Sequence, residues 1–311
     1  SGNVSNLTGI NNATLNLIAQ WTKGDYPLTV NFEDENSNPI TDKNIVNFSI
    51  VLLGENDISI GAISGTDNQF TLNKDNSYKI TVITGAGYRL DGFTIIPEDG
   101  AIVNQNENNF IIANIAKATT ITIIIKANSY EVTANPNSGT FDDANLNGWS
   151  LSNGVATKTI VYANEYNLPT ITRLGYSFLG WFIGEAKLGE NPVVLTASDH
   201  TIEAKWQANT YEGTIDYDND KIIVKRVDGQ NEYDITDGKI IATTGEPIVL
   251  RVTAKEHYEN VQVIATDTIV VQNSEDTTTY TITGFTEAFT ITINADAKKY
   301  IADNNIQLYT I

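Results

Sequence analysis

Acidic side chains are the most numerous groups in this sequence that could do chemistry, and one run of them has the spacing of a metal site. Asp216, Asp218 and Asp220 stand at alternate positions, as the first ligands of an EF-hand calcium loop do. That loop also needs glycine at its sixth position and glutamate at its twelfth, where this chain has Lys221 and Val227. We therefore predict an acidic hairpin loop without metal, and calcium binding is the alternative.

Catalysis by histidine or by paired carboxylates is not predicted. His200 and His257 are the two histidines of the chain, and they fall in different units of the repeat pattern. A Ser/His/Asp triad would therefore need residues from separate domains to converge. His200 precedes a predicted strand, which favours a solvated turn histidine. Paired acids for glycoside hydrolysis need a deep cleft, which small units in a row rarely form. We predict no catalytic residue and no cofactor.

Trp149 is the candidate for a ligand platform. It lies in an acidic insertion between predicted strands, residues 142–150, where an exposed indole ring could stack on a sugar. Packing over its own sheet is the simpler interpretation. Trp21, Trp181 and Trp206 stand at repeat-defining strand positions and are interpreted as core anchors.

The charge balance narrows the range of partners. The chain carries 19 Lys and Arg against 38 Asp and Glu, a formal net charge of −19. This field repels nucleic-acid phosphates and anionic lipid headgroups, so neither is an expected partner. The most apolar run, Ile121–Ile125, has the length of a strand, so no membrane insertion is expected within this segment.

Cysteine and methionine are both absent. Without cysteine the chain has no disulfide, no thiolate metal site and no cysteine nucleophile, which is compatible with export from a Gram-positive bacterium. Ser1 and Gly2 resemble the scar left by tag removal, so we expect the chain to be part of a longer protein.

Strands are predicted from residues that alternate between apolar and polar. Ile202, Ala204 and Trp206 are apolar while Glu203 and Lys205 between them are charged, which is typical of a strand with one buried face. No long stretch has the apolar spacing of an amphipathic helix, and Thr, Ile, Val and Tyr dominate the periodic stretches. The sequence therefore predicts a mainly β protein.

The same strand, linker and strand recur along the chain. An aliphatic residue stands nine positions before each of four tyrosines, Tyr26, Tyr130, Tyr211 and Tyr300, and two of the linkers read Ala-Asn-Ser/Thr-Tyr. The predicted units are the tail of an upstream repeat at 1–25, repeats at 26–127, 128–208 and 209–299, and a C-terminal strand or the start of another unit at 300–311. Linkers this short leave little freedom, so we expect a stiff rod of tandem repeats.

A second motif recurs inside the units. Residues 87–93 and 175–181 both read Gly-Tyr-x-apolar-x-Gly-aromatic, whereas residues 257–263 keep only Tyr258 and the last apolar position. Glycine at these positions permits backbone angles and close approaches that other residues avoid. The aromatic residues are expected to fill much of a small core.

The middle unit resembles the Listeria–Bacteroides repeat, also called the internalin B-repeat. The matching stretches are Tyr-Glu-Val-Thr-Ala at 130–134 followed by Asn-Ser-Gly, Leu-Pro-Thr-Ile-Thr-Arg-Leu-Gly-Tyr at 168–176, Phe-Leu-Gly-Trp-Phe at 178–182, and Thr-Ile-Glu-Ala-Lys-Trp at 201–206. The first unit is similar to the divergent form of this repeat, and the third shares the junction pattern. The resemblance implies small β-grasp-like domains of bacterial cell-surface proteins and brings no catalytic residues with it.

These observations leave two fold alternatives and two function classes. The fold is predicted to be a tandem array of small β-grasp-like domains, with small Ig-like β-sandwiches as the alternative. The function is predicted to be a non-catalytic, extracellular stalk or adhesive segment, at the cell surface or wall, with host or neighbouring-cell surface proteins or glycans as partners. A carbohydrate-binding module of a surface glycan-processing protein is the alternative.

Overall fold

The architecture follows from short stretches in which every second residue is apolar. A computed structural model describes residues 24–299 of the chain. Trp21 and the predicted units at 1–25 and 300–311 therefore lie, wholly or almost wholly, outside the described residues. Within them the regular structure is almost entirely strand, with two single 3-10 turns at Glu55–Asp57 and Asp143–Asn145. The prediction of a mainly β protein is confirmed.

The first segment of strands covers residues 25–127 and forms two sheets. Their orders are β4-β1-β9-β6 and β3-β2-β5-β8-β7. The strands are β1 (Asp25–Glu33), β2 (Val46–Leu53), β3 (Ser59–Ala62), β4 (Gln69–Asn73), β5 (Ser77–Thr84), β6 (Tyr88–Ile96), β7 (Ile102–Asn106), β8 (Asn109–Ala113) and β9 (Thr119–Ala127).

One parallel pair lies at the centre of the first sheet. β1 and β9, the first and last strands of the segment, run parallel with Val30 opposite Ile121, and both residues are fully buried. They pack in one cluster with Ile80 and Phe110 from the second sheet. Each such buried aliphatic or aromatic side chain contributes about 1.5–3 kcal/mol of hydrophobic stabilisation.

The second segment covers residues 129–208 and has a larger sheet of order β12-β13-β10-β17-β15-β16, with β11 and β14 as a separate pair. β10 and β17, its first and last strands, are parallel, with Ala134 opposite Ile202. The strands are β10 (Ser129–Asn135), β11 (Thr140–Phe141), β12 (Ser150–Ser152), β13 (Val155–Val161), β14 (Ile171–Thr172), β15 (Tyr176–Ile183), β16 (Ala186–Lys187) and β17 (His200–Ala208).

The third segment covers residues 210–297 and repeats the plan of the first. Its sheets have the orders β21-β18-β26-β23 and β20-β19-β22-β25-β24, and β18 runs parallel to β26 with Ile215 opposite Ile291. The strands are β18 (Thr210–Tyr217), β19 (Ile222–Asp228), β20 (Asn231–Asp234), β21 (Lys239–Thr243), β22 (Ile248–Ala254), β23 (Tyr258–Ala265), β24 (Ile269–Gln272), β25 (Thr279–Thr283) and β26 (Phe289–Ala297).

The two fold alternatives each describe part of the chain. In the first and third segments, buried residues of both sheets share one core, which is the arrangement of a β-sandwich. The second segment has a single large sheet and one 3-10 turn, which fits the β-grasp-like expectation better.

The described residues form two compact units. One contains the chain up to Tyr130 together with Ile160–Asn164 and Val193–Ser198, and the other contains the remaining residues. The repeat boundaries predicted from the tyrosines stay a prediction. No helix among residues 24–299 has the length and apolar character needed to cross a membrane.

A charged loop closes one end of the third segment. The Asp276 carboxylate accepts hydrogen bonds from the Thr278 backbone at 3.1 Å and the Thr279 hydroxyl at 2.8 Å, and it contacts Arg251 at 3.2 Å. The Thr278 hydroxyl also donates to this carboxylate at 2.5 Å. Its hydrogen bond is the largest cause of a lowered pKa for Asp276, about 2 against an ordinary 3.8, followed by those from the Thr279 hydroxyl and the Thr278 backbone. Donors that favour the charged carboxylate favour the folded loop as well.

Acid should therefore weaken the third segment in a defined pH range. Because the folded-state pKa of Asp276 is the lower one, its contribution to stability is present above pH 3.8 and is lost as pH falls toward about 2. We expect Asp276→Asn to reduce stability at neutral pH. The variant's stability should also change less with pH between about 2 and 3.8 than that of the wild type. Thermal unfolding followed by circular dichroism across the pH series measures both effects, and an unchanged acid slope in the variant would contradict the assignment.

Candidate functional site

The acidic run at 216–220 ends in a turn, which the following residue, Lys221, stabilises by an ion pair. The Asp218 carboxylate accepts the Asp220 amide at 2.9 Å and pairs with the Lys221 ammonium at 2.9 Å. The hydrogen bond from Lys221 is the largest cause of a lowered pKa for Asp218. Asp216 lies on β18. Within residues 24–299 no group of three or more His, Asp or Glu side chains is placed to hold a metal ion.

Trp149 lies in the interior of the second segment. Its ring is 4% exposed, and its Nε1 donates to the Asn167 carbonyl at 2.8 Å. Lys158 holds the same loop because its Nζ donates to the Asn147 carbonyl at 3.0 Å, and burial lowers the pKa of this ammonium. The simpler interpretation, in which Trp149 packs over its own sheet, agrees with this burial, and the alternative of an exposed indole does not. A ring this buried presents no face on which a sugar could stack.

His200 is held by a tyrosine. It is the first residue of β17, and its Nε2 lies 2.7 Å from the hydroxyl of Tyr166, which is 1% exposed. The predicted turn position is therefore wrong, because His200 lies on the strand, where its side chain is half-buried. His257 stands in a turn with a left-handed φ of 75°.

The glycine-tyrosine motifs start strands that carry a β-bulge near their beginning. The register of β6 shifts between Leu90 and Gly92, and that of β15 between Phe178 and Gly180. β23 has the same irregularity between Glu259 and Gln262, although its sequence has lost both glycines. The bulge is thus a property of the strand pairing, and it bends each strand at an equivalent place.

Each bulged strand begins beside the linker that follows the segment's last strand. Tyr88 stands opposite Ala127, Tyr176 opposite Ala208, and Tyr258 opposite Ala297. The next backbone amide along the chain donates to the carbonyl of the residue before the tyrosine. These bonds are Asn128 to Gly87 at 2.8 Å, Asn209 to Gly175 at 3.0 Å, and Lys298 to His257 at 2.8 Å.

Asn209 joins the second and third segments within one compact unit. Its amide binds Gly175, and its carbonyl accepts the Thr244 amide at 2.9 Å. Its side-chain oxygen accepts the Ser177 hydroxyl at 2.6 Å, and its side-chain nitrogen donates to the Tyr211 hydroxyl at 3.3 Å. All the polar groups of this linker residue are therefore bonded. We call Asn209, with Gly175, Ser177, Tyr211 and Thr244, the Asn209 clamp.

The other compact unit contains the same arrangement around Asn128. The Asn128 carbonyl accepts the Tyr162 amide at 2.8 Å. Its side-chain oxygen accepts from Arg89 at 2.8 Å, and its side-chain nitrogen donates to the Tyr130 hydroxyl at 3.4 Å. The Asn128 clamp therefore has the same four connections, with Arg89 and Tyr162 in place of Ser177 and Thr244.

Both clamps contain a glycine whose backbone packs directly against a side chain of the following segment. Gly87 and Gly175 have φ values of +82° and +79°, which favour glycine. A Cβ at Gly175 would lie 2.7 Å from the Thr244 Cγ2 atom, and one at Gly87 would lie 2.3 Å from the Tyr162 ring. In the third segment the matching residue is His257, and Lys298 replaces the asparagine.

Aromatic rings surround the Asn128 clamp. The Tyr88 and Tyr162 rings meet edge to face with centroids 5.3 Å apart, and Tyr130 stands 6.4 Å from Tyr162. Burial is the first cause of a raised pKa for Tyr88, followed by the charges of Tyr162 and Asp42. These rings therefore form a partly dry packing contact beside the polar clamp.

The sequence marked some of these residues and missed others. Asn128, Asn209 and the two glycines lie in the recurring motifs, but Tyr162 and Thr244 carried no signal because they belong to neither motif. The spacing of the motifs predicts that a junction exists. It does not predict which residues of the following segment complete the junction.

Comparisons with known proteins leave the family open. No family model matches the chain, and no curated protein matches its sequence. The resemblance to the Listeria–Bacteroides repeat therefore stays a prediction.

Several solved structures of bacterial surface proteins share a weak likeness. The Bacillus anthracis TIE protein has 13% identity and a TM-score of 0.34 over 87% of this chain and 51% of its own. A streptococcal ancillary pilin has 11% identity and a TM-score of 0.21 over 58% of this chain and 62% of its own.

Two B repeat units of the collagen binding protein of Staphylococcus aureus have 12% identity and a TM-score of 0.16, over 87% of this chain and 75% of their own. The chain thus spans about half the length of the first of these proteins and less than two thirds of the second. With TM-scores this low, the neighbours define neither the family nor the function of this chain.

Substitution at Gly175 tests the close approach in the Asn209 clamp, and Gly154 provides a matched control. Both glycines have a φ of +79°, but a Cβ at Gly154 would meet nothing within 4 Å. Gly154→Ala should destabilise by about 1 kcal/mol through backbone strain alone. Gly175→Ala should lower the free energy of unfolding by about 1–3 kcal/mol more than Gly154→Ala does, because the new methyl group collides with Thr244. Chemical denaturation measures the difference, and equal costs would show that the contact with Thr244 is unimportant.

Proposed function

We propose that this chain is a non-catalytic spacer of a bacterial surface protein, in which repeated β segments carry a distal part of the protein away from the cell. The observation that carries the proposal is the parallel pairing of first and last strands in every segment. Parallel strands enter at one end of a sheet and leave at the other. Nine residues of strand, as in β1, β9 and β26, span about 30 Å. Each segment therefore advances the chain, whereas an antiparallel closing strand would return it to its start.

The clamps support the same role. A spacer must pass load from one segment to the next, and each linker asparagine bonds to residues on both sides of it. Backbone hydrogen bonds of Asn209 connect the linker to the residue that precedes β15 and to the residue that follows β21. Hydrogen bonds of this kind contribute about 1 kcal/mol each, so a set of four resists rotation about the linker.

The location and partners belong to the proposal as well. A net charge of −19 and the absence of cysteine suit an exported protein that must stay soluble. Weak contacts to host or neighbouring-cell proteins or glycans are compatible with a spacer. The alternative is a carbohydrate-binding module. It was favoured by Trp149 as an exposed platform for a sugar, and Trp149 is buried.

Forced unfolding tests the spacer directly. Pulling the full chain from its two ends loads the parallel strands of each segment in shear, so their hydrogen bonds must break together. Ile291 on β26 and Ile282 on β25 are both fully buried, but Ile291 belongs to the parallel pair. Ile291→Val and Ile282→Val should each lower stability by about 0.5–1.5 kcal/mol. Ile291→Val should lower the rupture force of the third segment more than Ile282→Val does, because only Ile291 belongs to the parallel pair.

Two results of this experiment would count against the proposal. An equal loss of rupture force in the two variants would show that the parallel pair does not bear the load. Extension of the wild-type chain without separate rupture events would show that the segments do not resist force at all.

A further inference from the structure

The third segment has four edge strands, and three of them are protected against pairing with another chain. β21 contains Lys239, which pairs with Glu212 at 2.6 Å, and β20 contains Glu232 and Asp234. β23 contains the bulge that follows Glu259. Charged residues and bulges are the usual means by which proteins block edge-to-edge association.

β24 is the edge strand without such protection. Its sequence is Ile-Val-Val-Gln, and among the described residues it pairs with β25 alone. Ile269 and Val271 are 63% and 57% exposed. β-branched residues at alternate exposed positions make a favourable surface for cross-strand packing by an added strand.

A groove lies beside this edge. It has a volume of about 360 Å³ and separates β24 from β23, the edge strand of the facing sheet. Val261, Val263, Val270 and Tyr280 line it. An added strand would direct alternate side chains into this groove and the others beside Ile269 and Val271, because successive residues of a strand point to opposite faces.

The charges around β24 select the partner. Asp267 precedes the strand and Glu275 follows it, and both are exposed. The chain as a whole carries a net charge of −19, which opposes the approach of a second copy. A peptide with basic residues at its ends meets the opposite charge at both ends of β24.

We propose that β24 binds an extended peptide segment by strand addition. The partner segment carries β-branched residues at alternate positions and lysine or arginine at each end. Its main chain completes the free edge of the β-sheet, and its alternate side chains fill the groove, as in β-augmentation. This inference goes beyond the spacer role and does not depend on the clamps.

A synthetic probe peptide that alternates threonine and valine, with lysine at both ends, tests the inference on the full chain. Binding should protect the amides of residues 269–272 from hydrogen exchange. Val271→Lys should weaken binding by about fivefold, because a charge replaces an apolar cross-strand neighbour. Ile223→Lys is the matched control, since Ile223 is 44% exposed on β19, an inner strand of the same sheet, and it should leave binding unchanged.

Four outcomes would overturn the inference. Protection elsewhere than at β24, or an equal effect of both lysine variants, would refute the site. A probe with glutamate at its ends should bind more weakly at low salt, and equal binding would refute the charge selection. Protection of residues 269–272 that grows with protein concentration in the absence of peptide would identify a second copy as the occupant. None of these results bears on the rupture forces that test the spacer.

Discussion

The parallel pairing between the first and last strands of each segment is the constraint on which the rest of the structure depends. Val30 faces Ile121, Ala134 faces Ile202, and Ile215 faces Ile291, and all six are buried. Because the two strands run in the same direction, the intervening chain must cross back before the last strand can form. The remaining strands of each segment make that crossing and cover the core. The last strand then ends where a new first strand can begin.

The junctions between segments provide hydrogen-bond partners for backbone groups that the parallel arrangement leaves without a strand neighbour. A chain that leaves one sheet and enters the next within a few residues exposes backbone groups that need partners. Asn128 and Asn209 provide those partners with both backbone and side-chain atoms. Glycine is required beside them because the backbone is left-handed and the following segment lies too close for a Cβ. At the equivalent position of the third segment the chain has His257, which also adopts a left-handed φ of 75°.

Polar side chains that could bind metal or act in catalysis, judged from the sequence, instead form hydrogen bonds and ion pairs that stabilise turns, loops and strand ends. Asp218 closes a turn with Lys221, His200 meets the buried hydroxyl of Tyr166, and Asp276 orders a loop through Thr278 and Thr279. In each case a nearby hydrogen-bonding partner satisfies the group. In the third segment, the edge strand β24 differs from these polar groups because its apolar side chains Ile269 and Val271 are exposed.

The sequence by itself determined that the chain is mainly β, and it predicts where the segments join. Alternation of apolar residues is local, so β9, β17 and β26 are evident from their residues alone, and the recurring tyrosines mark the junctions. Only the tertiary structure decided which strands pair, that a second sheet covers the core of the first and third segments, and that Trp149 is buried. It also decided that Tyr162 and Thr244 complete the clamps. These outcomes join residues that are distant in the chain, and a local pattern carries no information about which distant surface will meet it.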